Sequence, residues 1–332
     1  MSYRFEDFCC CPNCRADLKE ADSLLTCCGC GHEYKIENGI ALLMPNYSED
    51  EKGASYHENY EQIAENFLRK NKFESDRVSY RHDRLLRFIG PERINTVLDI
   101  GSSHGLYLQQ LNAEFKVAFD IALTYLETMD AVPNLMKVQG DAEYLPFKPS
   151  FFDMIILADI LEHLRDPKSV ARGIYEISAE NLRLIIHIPW KESLEPYMND
   201  GWSFSHLRAF NEYNFAALWH QFWIVRTKLT YPDMRYPLLF RFERILPWFL
   251  YNRLLRHYFF SSDVQEKDAE WRKKKLDALP KHELMLMLLF DPVFKMFELR
   301  KYVAPLEESW SHTPFRKFAD LLTKLIARMV VR

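Results

Sequence analysis

The sequence predicts an α/β protein: a doubly wound, mostly parallel sheet, preceded by a small metal-held module and followed by a helical extension. Three observations lead there. All seven cysteines lie before residue 31. From Ile94 onward, short apolar runs alternate with helix-like stretches, the pattern of parallel strands joined by crossover helices. Beyond Tyr231 that alternation stops, and aromatic residues and leucines mix with arginines.

The 332 residues are 48% hydrophobic and 27% charged, a composition that folds rather than stays disordered. The opening Met1–Asp7 has no apolar core behind a basic cluster, so it does not read as a secretory signal. The apolar run Leu284–Phe290 is too short to span a bilayer. The expectation is therefore a cytoplasmic chain without a transmembrane segment. The net charge of −4 is uneven: residues 232–332 carry 19 Lys+Arg against 13 Asp+Glu, the rest 24 against 34. An anionic partner would meet the basic end: packing on the core is the first reading of that region, and peripheral contact with the inner face of a membrane the alternative. The acidic body argues against nucleic acid, whose binding rests on neutralising phosphates.

Residues 1–46 form the first expected unit. Cys11-Pro12-Asn13-Cys14 is followed by Cys27-Cys28-Gly29-Cys30. Each C-x-x-C turns two thiolates toward one metal, and two such knuckles close a tetrahedral shell with no open position. The expected ligands are Cys11, Cys14, Cys27 and Cys30 on a structural zinc, with Cys28 an alternative to Cys27. A module this small cannot build enough core alone, and metal binding supplies the missing folding energy. Gly31–Leu43 reads as two short strands around an Asn38-Gly39 turn. The segment resembles the zinc-ribbon family typified by the small activator subunit of tRNA and protein methyltransferases. That resemblance implies a docking module.

Residues 47–93 are expected to be a polar linker entering helices, with a helix over Ser75–Ile89 that stops at Gly90-Pro91. Residues 94–231 are the expected core. The strand Ile94–Ile100 ends at Asp99 and is followed by Gly101-Ser102-Ser103-His104-Gly105. A glycine-bearing strand-to-helix turn lets backbone approach a ligand closely, and the next helix offers its amides. A second strand, Phe115–Ala118, leads to Asp120, which suits a pair of ribose hydroxyls. A third, Leu135–Val138, leads to Gly140-Asp141-Ala142, where a carboxylate suits an adenine amino group. Phe152–Ala158 and Leu182–Ile188 complete five strands.

From Val97 to Leu164 the order V-L-D-x-G, strand-D, D-A-x-x-L-P-F and L-E-H-L resembles the class I S-adenosylmethionine-dependent methyltransferases related to the quinone-biosynthesis enzymes (methyltransferase type 11). Ser205-His206-Leu207-Arg208-Ala209-Phe210 is similar to that family's H-x-R-x-F segment. The resemblance implies S-adenosylmethionine as cofactor. Asp99, Gly101, Ser103 and Gly105 would then shape its methionine end, Asp120 would hold ribose, Asp141 and Ala142 would flank adenine, and Ala158 would close the strand beside them. Ser103 stands where the family has glycine.

Candidate catalytic residues are Asp159, His163, His187 and His206. Asp159-Ile160-Leu161-Glu162-His163 is a shortened form of an E-x-x-E-H arrangement, so Asp159, Glu162 and His163 are a candidate set for a divalent cation. The expected activity is methyl transfer to a small-molecule, lipid-linked or glycan acceptor. The alternatives are an RNA methyltransferase and a non-catalytic cofactor-binding scaffold with a partner-docking ribbon. Residues 232–332 are expected to be a helical extension. Phe315, Phe318, Leu322, Leu325 and Met329 line one face of its last helix.

Overall fold

The computed structural model describes residues 3–47, 51–69, 75–190, 206–230 and 293–301. The final helix expected around Phe315–Met329, the rest of the basic tail and Ser205 lie outside them. Among the described residues, no helix is long and apolar enough to cross a membrane.

The strands are β1 (Leu18–Ala21), β2 (Leu24–Cys27), β3 (Glu33–Glu37), β4 (Ile40–Leu42), β5 (Ile94–Ile100), β6 (Ala113–Asp120), β7 (Leu135–Gln139), β8 (Phe152–Ala158), β9 (Ser178–Trp190), β10 (Phe222–Thr230) and β11 (Val293–Lys301). They form one sheet in the order β1-β2-β3-β4-β7-β6-β5-β8-β9-β11-β10. The helices are α1 (Phe5–Phe8), α2 (Glu51–Arg69), α3 (Ser75–Ile89), α4 (Leu106–Gln110), α5 (Leu123–Thr128), α6 (Pro167–Ile177) and α7 (Glu212–Leu218).

The central strands β7, β6, β5, β8 and β9 are parallel, as expected. Their apolar runs are continuous because both faces are covered. Alternate residues go to opposite sides. Leu98, Ile100, Ile155 and Leu157 pack with Val170 and Ile174 of α6. Val97, Met154 and Ile156 pack with Leu85 and Phe88 of α3, Leu108 of α4 and Leu126 of α5. A strand repeat of two sends successive side chains to opposite helical layers, which is the doubly wound architecture.

The cysteine module is part of this sheet. Asn38 and Gly39 take left-handed backbone (φ 51° and 75°), giving the tight turn between β3 and β4. Then β4 pairs parallel with β7, Ile40 to Lys137, Ala41 to Val138 and Leu42 to Gln139. Phe5 and Phe8 of α1 share a core with Phe115, Phe147 and Phe152. Tyr3 lies tilted against Phe115 at 4.1 Å and Phe8 meets it edge-on at 5.1 Å.

The other end of the sheet departs from expectation. β11 lies antiparallel between β9 and β10, so Val293–Lys301 belongs to the sheet and not to a helical extension. Local pattern could not show this, because its charged residues interrupt the apolar repeat. One of them, Glu298, is buried on arginines from three strands: Arg183 (3.1 Å), Arg226 (2.7 Å) and Arg300 (3.2 Å).

Candidate functional site

The carboxyl ends of β5, β6, β7 and β8 carry Asp99, Asp120, Asp141 and Asp159 in turn. The turn after β5 needs its glycines. Gly101 (φ 74°) and Gly105 (φ 67°) are left-handed, and a Cβ would fall 2.8 Å from Ile160 Cδ1 at the first and 2.6 Å from Met129 Sδ at the second. Ser103 also adopts left-handed backbone (φ 47°), the conformation glycine takes without strain. Serine therefore fits the turn, with strain. The helix that follows, α4, is only five residues long. The expected array of helix amides is thus small, and the site depends on side chains.

Asp120 is buried, and its carboxylate accepts from Ser103 N (2.8 Å) and Ala122 N (3.0 Å). Burial raises it to about 6 against those amides. Asp99 is 1% exposed, and among the described residues neither side-chain oxygen has a hydrogen-bond partner. Burial, with Asp120 nearby, raises it to about 8. An orphaned buried carboxyl is costly, and a cationic or donor group of a ligand would relieve it. Asp141 is held differently: Tyr47 Oη donates to Oδ2 (2.7 Å), Arg165 Nη2 donates to the same oxygen (3.3 Å) and Glu143 N donates to Oδ1 (2.9 Å). Ala142 is buried beside it, and Ala158 is half-buried at the end of β8.

The catalytic candidates sort into two groups. Asp159 sits at φ 54°, and its Oδ1 accepts from His187 Nδ1 at 2.7 Å. His187 is buried, whereas the Asp159 side chain is 31% exposed. Glu162, His163 and His206 form the second group, with one donor atom from each within 4.8 Å of the others. The His163 and His206 rings meet edge to face at 4.8 Å. The cation set expected from sequence, Asp159 with Glu162 and His163, is therefore corrected. Asp159 turns to β9, and His206, brought in from before α7, replaces it. Leu207 N bonds the Glu162 carbonyl (2.7 Å) and fixes that approach.

Cys11, Cys14, Cys27 and Cys30 bring their sulfurs within 4.8 Å of one another, and Cys28 is exposed outside the set. The Cys11–Cys30 and Cys14–Cys27 separations are 3.8 and 3.4 Å. Amides of Gly29 and Cys30 donate to Cys27 Sγ (3.3 and 3.4 Å), a donor arrangement that favours the thiolate a metal requires.

Helix α2 supplies residues that the sequence reading treated as linker. Tyr56, His57, Tyr60 and Glu61 lie on one helical face. Tyr56 Oη donates to the His163 carbonyl (3.2 Å), and Glu61 accepts from Leu123 N and from Thr124 N (3.3 Å). Glu61 thereby caps α5, whose Ala122 N-cap offers no side-chain bond. The spacing of these four residues was the one available signal.

Residues 98–186 match the family model described as a methyltransferase domain. A comparison with curated proteins finds no match. Among solved structures, the chain is similar to a Bacillus halodurans protein described as a methyltransferase (16% identity, 67% of this chain and 99% of that one, TM-score 0.47). It is also similar to the complex of the Haloferax volcanii Trm112 methyltransferase activator with a protein described as a methyltransferase (12% identity, 73% and 98% covered, TM-score 0.49). A third is Haemonchus contortus phosphoethanolamine N-methyltransferase 2 with phosphomonomethylethanolamine and S-adenosylhomocysteine (18% identity, 68% and 53% covered, TM-score 0.42). The family match falls on the same strands that carry Asp99, Asp120 and Asp141, and residues 98–186 are a methyltransferase domain.

Proposed function

We propose that this enzyme methylates a hydroxyl or amine on a small-molecule, lipid-linked or glycan acceptor, with Asp159 as general base. The observation that carries this reading is the Asp159–His187 pair, a part-exposed carboxylate backed by a buried imidazole at 2.7 Å. When bound, S-adenosylmethionine supplies an electrophilic methyl group. Asp99, Gly101, Ser103 and Gly105 would line its methionine end, Asp120 its ribose, and Asp141 and Ala142 its adenine. The unpartnered Asp99 carboxyl supports that assignment, because the ligand's ammonium group would satisfy it. Asp159 would take the acceptor's proton as the methyl passes from the sulfonium sulfur to the acceptor oxygen or nitrogen, with S-adenosylhomocysteine as the leaving group. His187 orients Asp159 by donating from Nδ1. Positioning the acceptor in line with the methyl supplies much of the remaining rate.

Two metal readings accompany this proposal. The cysteine quartet suits a structural zinc. Glu162, His163 and His206 suit a divalent cation beside the acceptor, with a carboxylate and two imidazoles as donors. Elemental analysis decides the second: two metal equivalents in the wild type and one in Glu162→Gln are expected, and equal counts would remove it.

The acceptor class rests on charge. Residues 1–231 carry 34 acidic against 24 basic side chains, a poor surface for RNA. The test is incubation with labelled methyl donor and fractionated cell extract. Label in the small-molecule, lipid or glycan fraction is expected, and label in RNA would overturn the acceptor. Absence of S-adenosylhomocysteine in every fraction would favour a non-catalytic scaffold. In Asp159→Asn, kcat should fall by about 10²–10⁴ with cofactor affinity unchanged.

A further inference from the structure

A short chain of hydrogen bonds runs from the cysteine knuckles to the loop after β7, and the proposed reaction does not use it. Asn13 lies inside the first knuckle. Its Nδ2 donates to the Tyr34 hydroxyl oxygen (2.9 Å), and that hydroxyl meets Cys11 Sγ at 3.1 Å. Asn13 Oδ1 accepts from Asn46 N (2.9 Å). The next residue, Tyr47, donates its hydroxyl to Asp141 Oδ2 at 2.7 Å. The module also grips the far side of the same loop. Cys10 N donates to Pro146 O and Arg15 Nη2 to Phe147 O, both at 2.9 Å. Leu43 N donates to Gln139 O at 2.9 Å, just ahead of the loop.

A carboxylate offers about four acceptor positions. On Asp141, among the described residues, Tyr47 and Arg165 fill Oδ2 while Glu143 N takes one position on Oδ1. One position on Oδ1 remains. Burial and the adjacent Asp141 push the Tyr47 hydroxyl far above its usual pKa, so it remains a donor at any physiological pH. With Oδ2 clamped from two sides, the carboxylate cannot rotate freely, and the direction of the remaining Oδ1 position is set.

We propose that Tyr47 is a positioning residue of the cofactor site: anchored to the metal knuckle through Asn13, it fixes Asp141 so that Oδ1 takes the adenine amino group, and it thereby makes cofactor affinity depend on metal in the cysteine quartet. This rests on the reading of Asp141 as the adenine contact and of the quartet as a zinc site. Preorganising an acceptor raises affinity without adding a contact to the ligand.

The experiment is calorimetry on the full-length protein with two ligands, S-adenosylhomocysteine and S-inosylhomocysteine, which has a carbonyl where adenine has its amino group. Zinc is counted in every sample by elemental analysis. Tyr47→Phe should bind S-adenosylhomocysteine about tenfold more weakly, the equivalent of one hydrogen bond to a charged group. Its zinc content and its affinity for the inosine ligand should match the wild type. Asn13→Ala should show the same selective loss in smaller measure, and Cys14→Ser the full loss together with its zinc. If Cys14→Ser does not fold, the two zinc-retaining variants decide. Unchanged binding in Tyr47→Phe, or equal weakening of both ligands, would overturn the proposal in favour of a purely structural tyrosine. Equal binding of the two ligands by the wild type would overturn the assignment of Asp141 to adenine, and the proposal with it.

Discussion

Two places in one sheet bury carboxylates in opposite ways. At the ends of β5 and β6, Asp99 has no hydrogen-bond partner among the described residues and Asp120 is held by backbone amides, and burial raises both, to about 8 and about 6. On β11, Glu298 is equally buried but ringed by Arg183, Arg226 and Arg300, and its pKa is lowered against the opposing effect of burial. The second arrangement is finished within the protein: charge is matched, and three strands are tied to one another. The first is unfinished among the described residues, and its electrostatic cost is carried until a further group relieves it. Sites that bind are commonly less stable than they could be, because the arrangement suits the ligand rather than the empty fold.

Breaking the matched cluster should have the largest effect on stability. Glu298→Ala would leave Arg183, mostly buried on β9, short of a partner. It should cost about 2–3 kcal/mol in urea denaturation while S-adenosylhomocysteine affinity stays constant. A fall in affinity of similar size would erase the contrast between the two ends. The converse test is Asp120→Ala. Cofactor affinity should drop by roughly 2 kcal/mol, about thirtyfold by calorimetry, as its bonds to ribose are lost. Because burial relief offsets the lost amide bonds, the melting temperature without cofactor should move by only a few degrees.

The pH dependence follows from the raised groups. An acid whose folded pKa exceeds its unfolded value stabilises the fold below the unfolded value and loses that contribution as pH rises through the folded one. Cofactor-free protein should therefore lose stability from about pH 4 to about pH 8, at up to ~1.4 kcal/mol per pH unit for each protonated group. Asp99→Asn should flatten much of that slope and raise stability at pH 8, while weakening the cofactor. If the variant and the wild type share one slope, Asp99 is not the group responsible. The smallest effect belongs to Ser103→Gly, which relieves left-handed strain but loosens the unfolded chain. A gain of about 0.5 kcal/mol is expected from thermal melts without cofactor.

The cysteine module extends the same comparison. Its pairing with β7 covers only Ile40, Ala41 and Leu42, yet its aromatic residues enter the core beneath Phe115 and Phe147. Shared packing ties the module in there, together with the metal ligation we propose, whereas the β11 end relies on hydrogen-bonded charge.

Much of this architecture could be read in advance, for a physical reason. Asp99, Gly101, Gly105, Asp120 and Asp141 were legible because a parallel strand is a short apolar run, and the first polar residue after it marks the strand's carboxyl end. The quartet Cys11, Cys14, Cys27 and Cys30 was legible because knuckle spacing is local, although only the tertiary structure separated Cys27 from its neighbour Cys28. Other features join residues far apart in the chain, and no local pattern reports them. The fold brought His206 to Glu162 and His163, paired Asp159 with His187, seated Glu298 among three arginines and set Tyr47 on Asp141. The sequence by itself determined the parallel core strands, the turns at their ends and the cysteine knuckles, since apolar runs, glycine turns and knuckle spacing are local patterns, whereas β11 was set by its pairing with distant strands. The tertiary structure decided which charges are matched and which stand without a partner among the described residues, since that depends on contacts made only when the sheet closes.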